Sequence, residues 1–274
     1  MDTSSLPTLG EAGLSRFRIL QPDAVSAVTE RFYATHGSAY QRFGERGRQA
    51  CRDDLAFHLE FLRPVVEFGI IQPMVDYLLW LDSVLQARSI PSEHLGQSLE
   101  WLADFFGEQM DDVQGVIVRD ALLLARDQFL EAAATPISHS ATYEAPPWAD
   151  VDAFEAALLA GDQREASAIV NQLLDDGHSL VEVELHVMRA ALYHIGEQWA
   201  ANKVSVAQEH IASAIVQSVM TLALLRSTPS PATGQRVLVA CVEGNNHAIG
   251  VRMVADAFQL AGWDVQFLGA NVPT

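Results

Sequence analysis

Residues 236–268 contain the pattern that most restricts how this chain can fold. A short apolar run, from Arg236 to Val242, predicts a buried strand. A polar loop with one histidine, Asn245-Asn246-His247-Ala248-Ile249-Gly250, follows it directly. An amphipathic stretch then predicts a helix, and residues 263–268 predict a second strand. Ligands bind at the carboxyl end of the first strand in such β-loop-α units, so His247 is a candidate metal ligand.

This unit resembles the first half of the Rossmann-like cobalamin-binding domain, whose signature is Asp-x-His-x-x-Gly. In that family the histidine is the lower ligand of cobalt, which implies the same role for His247. Asn245 occupies the aspartate position and Gly250 the glycine position, so both are implied to take part in cofactor binding. Asparagine accepts a hydrogen bond but adds no charge to strengthen the imidazole as a ligand. The loop alone leaves open that His247 only caps the helix.

A second motif lies upstream, in a stretch of predicted helices. It consists of Trp199 followed, after nine intervening residues, by the pair Glu209-His210. The helices resemble the four-helix cap of methionine synthase and its relatives, and the Trp-x9-Glu-His spacing resembles light-sensing cobalamin proteins of the CarH type. That resemblance implies an upper 5′-deoxyadenosyl group covered by Trp199 and contacted by Glu209 and His210. A core tryptophan and a helix N-terminal pair, with Ser205 as the cap, are the alternatives that the residues leave open.

One position departs from the CarH-type pattern. In those proteins a histidine follows the tryptophan and ligates cobalt after photolysis, whereas here the residue is Ala200. The resemblance therefore does not imply the same ligand after illumination. His210, His194 and water are the alternatives for that position.

The N-terminal part of the chain has apolar residues at helical spacing and predicts an all-α domain. Its helices are expected at about 22–35, 46–68, 72–88, 92–107 and 111–133. Four arginines cluster in an otherwise acidic chain: Arg42, Arg46, Arg48 and Arg52. Asp54 and His58 follow one helical turn apart, beside several aromatic residues. Arginines that bind propionates, an aspartate for pyrrole nitrogens and aromatic walls are the requirements of a linear tetrapyrrole pocket.

The segment from Cys51 to Asp54 loosely resembles the Cys-x-Arg-Asp helix of the phycobiliproteins, which have a globin-like fold. Asp53 stands where that family has arginine. A helical domain before a CarH-like module also resembles the photocobilins, which pair cobalamin with biliverdin. That resemblance implies that Arg46, Arg52, Asp54 and His58 bind biliverdin, with covalent attachment at Cys51 left open. A plain helical scaffold is the alternative.

The sequence thus predicts a mainly α protein with one α/β part. We expect an all-α, globin-like sensor domain over residues 1–135 and a linker over 136–148. A four-helix cobalamin cap is expected over 149–227, followed by a Rossmann-like domain over 236–274 that is incomplete at its C-terminus. Two strands and one helix cannot bury both faces of a parallel sheet. Either the chain is a fragment of a longer one or a partner completes the sheet, and we favour a fragment.

Charge and hydropathy restrict the function. The net charge is −18 and the chain has neither a basic stripe nor a membrane-spanning apolar run. We therefore expect a cytoplasmic protein that makes no direct contact with nucleic acid or membrane. No catalytic arrangement is apparent, so we do not expect an enzyme.

The leading hypothesis is a photoreceptor that senses light through photolysis of adenosylcobalamin, with biliverdin as a second chromophore. Light would then switch a homo-oligomer or an effector domain. A corrinoid carrier of a methyltransferase system is the alternative, and a purely structural interaction domain is a third possibility.

Overall fold

The computed structural model describes residues 6–134 and 146–273. The chain divides into two compact units, residues 1–139 and residues 140–274. Helices and a small parallel sheet confirm the predicted mainly α fold with an α/β part. Most of the predicted linker lies outside the described residues, so the division into four segments stays a prediction. Among the described residues, no helix is long and apolar enough to cross a membrane.

The described part of the first unit is all-α, as predicted. Its helices are α1 (Glu11–Tyr40), α2 (Gly44–Phe68), α3 (Gln72–Gln86), α4 (Ser92–Gln109) and α5 (Asp112–Ala133), with a 3₁₀ turn at Gln41–Phe43. Their apolar faces meet in one core that includes Phe17, Phe106 and Phe129. The globin-like arrangement of these helices stays a prediction.

Helix α1 begins eleven residues before the predicted start at residue 22 and contains Pro22 in its interior. Proline lacks a backbone N–H and usually marks a helix start or break. Here Phe17, Ala24 and Val28 continue one buried stripe through the proline. Burial of that stripe outweighs the loss of one backbone hydrogen bond, which is why a local signal misplaced the helix start.

The second unit begins with a four-helix bundle. Its elements are α6 (Val151–Leu159), α7 (Gln163–Asp175), α8 (Leu180–Val183), α9 (Arg189–Ala200) and α10 (Val206–Arg226). A π-helical turn at Glu184–Met188 joins α8 to α9, so these three segments form one continuous helix. Single π-turns within α-helices are rare and often occur at functional sites.

The α/β part follows the bundle and has the predicted β-α-β order. It consists of β1 (Arg236–Ala240), α11 (Ala248–Leu260) and β2 (Asp264–Gly269). The strands pair in parallel, with Arg236 opposite Asp264. Helix α11 packs on the bundle, because Met253 is buried in the bundle core and Ile249 and Leu260 pack against it.

The buried face of α11 differs in part from the face that its amphipathic pattern predicts, on or near which Val251, Val254, Ala255, Phe258 and Leu260 would lie. Val254 is 51% exposed, whereas the acidic side chain of Asp256 is buried. A hydropathy pattern assigns a carboxylate to the solvent face, but Asp256 has buried polar partners from α11 and the bundle, described below. Its burial is therefore a tertiary effect that a pattern within one helix does not contain.

Candidate functional site

The loop after β1 is fixed by hydrogen bonds to the segment that follows β2. The Cys241 N–H donates to Gly269 O at 2.9 Å, and the Asn271 N–H donates to Asn245 O at 2.9 Å. The Asn271 side chain accepts from the Gly244 N–H at 2.7 Å. Because both strands end at the same edge of the sheet, these bonds give the histidine loop a defined shape.

His247 ends this loop and is the residue directly before α11. It is exposed, and no hydrogen bond of its imidazole is found among the described residues. The helix-cap alternative has no support in the geometry, since the His247 side chain makes no capping bond to α11. An exposed, uncommitted imidazole at the carboxyl end of a strand is suited to binding a transition metal.

Asn245 does not orient the imidazole as the family pattern implies. Its Oδ1 accepts a hydrogen bond from the backbone N–H of His247 at 2.9 Å. This is a local turn in which an asparagine side chain bonds the backbone two residues on. Asn245 therefore shapes the backbone on which the histidine is carried.

Three glycines leave space around this loop. A Cβ atom built on Gly244, Gly250 or Gly269 would meet nothing within 4 Å. Gly250 lies in the first turn of α11, on the side open to solvent. A nitrogen ligand beside open backbone fits a large planar corrin, which must approach the loop closely.

The upper-face candidates lie where α9 ends and α10 begins. A short turn joins these helices, so Trp199 and Glu209 lie at the same end of the bundle. Ser205 caps α10 and accepts from the Gln208 N–H, as the capping alternative expected. Glu209 bonds His210 and also accepts from the Ser213 hydroxyl at 2.7 Å. Its carboxylate is thus held in one orientation in the first turn of the helix.

The three upper-face residues differ in exposure. Trp199 is half-buried. Part of its indole packs against the bundle core, and the rest is accessible. The His210 side chain is 74% exposed. His194, an alternative later cobalt ligand, is instead bonded to Glu155.

The four clustered arginines of the first unit fall into two groups. Arg42 donates to the backbone oxygens of Arg88 and Ser89, and Arg48 forms an ion pair with Glu30. Arg46 and Arg52 have no hydrogen bond or ion pair to any described residue. Within this cluster, the two arginines expected to bind propionates are therefore the two whose guanidinium groups have no partner among the described residues.

Asp54 and His58 lie in a buried polar group on α2. The His58 Nδ1 lies 3.0 Å from the Tyr77 hydroxyl, and burial lowers the pKa of His58 to about 3. Burial, and secondarily Asp53, raises the pKa of Asp54 to about 6. Tyr77 stacks on Phe61 with ring centroids 4.1 Å apart. His58 is thus neutral and internally bonded, whereas Asp54 is partly accessible and easily protonated.

Cys51 is a poor nucleophile in this structure. Burial is the main factor that raises the pKa of its thiol to about 11, with Asp54 adding to the effect. Since the thiolate is the reactive form, the structure disfavours covalent attachment of a ligand at Cys51.

Sequence reasoning missed a buried acidic pair in the second unit. Glu184, in the π-turn, and Asp256, in α11, are 1% and 2% exposed. Their carboxyl groups interact directly, and Arg252 Nε donates to Asp256 at 2.7 Å. In the sequence, each of the two acidic residues lies within a row of apolar residues at helical spacing. That pattern alone does not indicate that the two side chains meet.

Comparison with known proteins supports the prediction that the four-helix bundle is a cobalamin-binding cap. Residues 151–223 match the family model described as B12 binding domain. The chain is 31% identical over 126 residues to the HTH-type transcriptional repressor CarA of Myxococcus xanthus, covering 46% of this chain and 39% of CarA. It is 28% identical over 162 residues to the HTH-type transcriptional repressor CarH of the same organism, covering 58% of this chain and 53% of CarH. The chain thus spans about half or less of each relative.

A solved structure also shows similarity to the chain. It is the methanol:cobalamin methyltransferase complex MtaBC from Methanosarcina barkeri, at 15% identity over 52% of this chain and 57% of that chain. The TM-score is 0.29, which is too low to support a functional comparison.

The relatives correct one expectation. The prediction of no direct contact with nucleic acid is wrong, because both curated relatives are HTH-type transcriptional repressors. That prediction rested on the net charge of −18. Net charge describes the average field of the residues counted and does not exclude a local DNA-binding element in a regulator.

Proposed function

From the premise that the chain carries a CarH-like cobalamin-binding module, we propose that it is a photoreceptor that uses adenosylcobalamin. When bound, this cofactor supplies a cobalt–carbon bond that visible light breaks. The observation that carries the proposal is the combination of a B12-binding cap with the Trp199 and Glu209-His210 arrangement at one end of that cap. The proposed role is sensory rather than enzymatic.

The α/β part supplies the lower ligand in this proposal. His247 offers an uncommitted imidazole nitrogen to cobalt, and Asn245 fixes the backbone that carries it. The open positions at Gly244, Gly250 and Gly269 leave room for the corrin ring. Because Asn245 is neutral and bonded to the backbone, the imidazole receives no charge from it and is a weaker donor than in an aspartate-supported site.

The bundle supplies the upper contacts. Trp199 provides a broad apolar surface for the adenosyl group, and the Glu209 carboxylate accepts hydrogen bonds from ribose hydroxyls. Ser213 and His210 keep that carboxylate in place. Loss of the adenosyl group would remove the surface that Trp199 covers and would allow the end of the bundle to repack. Exposed His210 or water would then be available as a ligand for cobalt, since the Ala200 side chain has no ligand atom.

We further propose that the first unit binds biliverdin without a covalent bond. Arg46 and Arg52 are available for the two propionates, and Asp54 has a pKa near neutrality that suits a partner for pyrrole nitrogens. His58 is bonded to Tyr77 and acts by fixing the wall beside Asp54. The raised pKa of the partly buried Cys51 thiol is the reason to propose a non-covalent chromophore.

The output of this photoreceptor is, in our proposal, the regulation of transcription. Support comes from the similarity to the repressors CarA and CarH. A change at the end of the bundle biases a two-state equilibrium only if one state binds the cofactor better than the other. In our proposal, the state of the bundle in which Trp199 and Glu209 contact the adenosyl group binds adenosylcobalamin better than the other state does. Loss of that group removes this preference.

One comparison of cofactors tests the proposal. The full chain is mixed with adenosylcobalamin or methylcobalamin, and binding is followed by absorption before and after green light. We expect tighter binding of adenosylcobalamin and a light-induced spectral change that leaves cobalamin bound. A preference for methylcobalamin, with transfer of its methyl group to a thiol, would identify a corrinoid carrier instead.

A further inference from the structure

Glu184 and Asp256 connect the two parts of the second unit through a buried contact. Glu184 lies in the π-turn of the bundle helix, and Asp256 lies two turns into α11. Both side chains are almost fully inaccessible to solvent, at 1% and 2% exposure. A buried carboxylate costs several kcal/mol unless it is paired or protonated, so this contact needs an explanation.

The hydrogen-bonding capacity of the two groups gives that explanation. Both Glu184 oxygens and the Asp256 Oδ2 are buried and receive no hydrogen bond from any donor among the described residues. Two ionised carboxylates can only accept, so they cannot satisfy each other. A single proton between them turns the contact into a hydrogen bond and removes the repulsion between like charges.

The local charges agree with one proton. Arg252 donates to the other Asp256 oxygen and contributes one positive charge. With one proton on the pair, the three side chains carry no net charge, which is the state that burial favours. Burial and the neighbouring Asp256 raise the pKa of Glu184 to about 9, and burial raises that of Asp256 while Arg252 opposes it.

Two other titratable groups of the neighbouring elements, Glu155 and His186, have hydrogen-bond partners elsewhere. Glu155 of α6 is bonded to His194 and Gln198. His186 in the π-turn bonds Pro146 O. Among the described residues, the charges that act on Glu184 are those of Asp256 and Arg252.

We propose that Glu184 and Asp256 share one proton and that this carboxyl pair fastens α11 to the bundle until alkaline pH removes the proton. The proposal follows from the buried contact between the π-turn and α11 and does not depend on the proposed light-sensing function. It has a consequence for that function, because α11 begins directly after His247. Release of α11 would move the histidine loop relative to the bundle.

The sign of the pH dependence follows from linkage. The folded state keeps a proton that the unfastened state loses above the ordinary carboxyl pKa. Opening of α11 therefore becomes more favourable as pH rises, by about 10-fold per pH unit between the ordinary and the raised pKa. Below that window the contact contributes its full stability.

Amide hydrogen exchange of α11 in the full chain, without cobalamin, tests the proposal. Glu184→Gln provides an uncharged amide that donates to Asp256 at every pH. The ratio of the exchange rates of wild type and variant is taken at each pH between 6 and 8. The pH dependence of intrinsic amide exchange and the effects of histidine titration are the same in both proteins and cancel in this ratio. Asp175→Asn removes a surface carboxylate of the same unit and serves as the matched control.

We expect the exchange rate of α11 in wild type, relative to Glu184→Gln, to rise about 100-fold from pH 6 to pH 8. The ratio of wild type to Asp175→Asn stays constant. A wild-type to Glu184→Gln ratio that does not change with pH overturns the proposal. If Glu184→Gln does not fold, ¹³C NMR of glutamate carboxyl groups in wild type decides. One glutamate that remains protonated at pH 7 supports the pair, and ionisation of all glutamates below pH 7 contradicts it.

Discussion

The side-chain oxygen of Asn245 lies 2.9 Å from the backbone nitrogen of His247 and accepts a hydrogen bond from its N–H. This bond determines how the proposed cobalt ligand is presented, because the His247 backbone also starts α11. In the family pattern, the side chain at the Asn245 position bonds the imidazole of the histidine. Here the Asn245 side chain bonds the backbone of His247 instead. The consequences for ligand binding can be measured.

Asn245→Ala should weaken the coordination of cobalt by His247. Loss of one hydrogen bond that contributes about 1 kcal/mol should lower the equilibrium constant between the base-off and the histidine-ligated form roughly 5-fold. Cobalamin absorption reports the ratio of histidine-ligated to base-off forms. Asn271→Ala is the comparison, since it removes a bond to Gly244 in the same loop without touching His247. Equal effects of both variants would show that only general loop order matters.

Trp199→Ala and Glu209→Ala should weaken adenosylcobalamin by at least about 10-fold and hydroxocobalamin little, because only the former carries the group that these side chains contact. Titration of both forms, followed by absorption, gives the two dissociation constants. Leu225→Ala changes an 80% exposed position elsewhere on α10 and should affect neither. Parallel losses for both cofactor forms would assign Trp199 and Glu209 to bundle stability instead.

Arg46→Ala and Arg52→Ala should each reduce biliverdin affinity by about 10-fold, since a charged hydrogen bond to a propionate contributes about 1.5–3 kcal/mol. Arg119→Ala, which removes an arginine paired with Asp120, should leave the affinity unchanged. Titration of the full chain with biliverdin, followed at red wavelengths, measures all three. The absence of a red-shifted band in wild type would leave the first unit a helical scaffold.

Cys51→Ser should retain biliverdin, because the raised pKa of the Cys51 thiol, about 11, keeps it protonated at neutral pH. Acid denaturation followed by chromatography should separate the pigment from both proteins. Colour that stays with the denatured wild-type chain but leaves Cys51→Ser would establish a covalent bond.

His58 should contribute less to the stability of the first unit as pH falls from about 6.5 toward 3, whereas Asp54, whose pKa is raised to about 6, acts in the opposite direction between about pH 6 and 4. Burial lowers the pKa of His58 to about 3, so the unfolded state takes up a proton in this window before the folded state does. The free energy of unfolding of wild type should therefore fall relative to that of His58→Gln as pH falls over the same range, as measured by chemical denaturation of both proteins. An unchanged pH dependence would mean that His58 is not the group responsible.

The sequence was most informative where a feature is local. The β-loop-α unit, the position of His247 and the cap of α10 at Ser205 follow from residues that are neighbours in the chain. The start of α1 was mispredicted because tertiary burial of Phe17 and Val28 overrides the local effect of Pro22. Such burial depends on distant helices.

The acidic pair shows the same limit at a candidate site. Glu184 and Asp256 are 72 positions apart, and each only interrupts an apolar stripe in its own helix. Their contact joins a residue of the π-turn to a helix that packs on the bundle. Neither is encoded in a short pattern.

The absorption spectrum of the full chain with adenosylcobalamin, in wild type and His247→Ala, tests the central claim most directly. It is recorded in the dark and after green light. We predict a histidine-ligated spectrum in dark wild type, a lasting change after light with cobalamin still bound, and a base-off spectrum in the variant. A wild-type spectrum that green light does not change, or identical dark spectra of wild type and His247→Ala, would contradict the account.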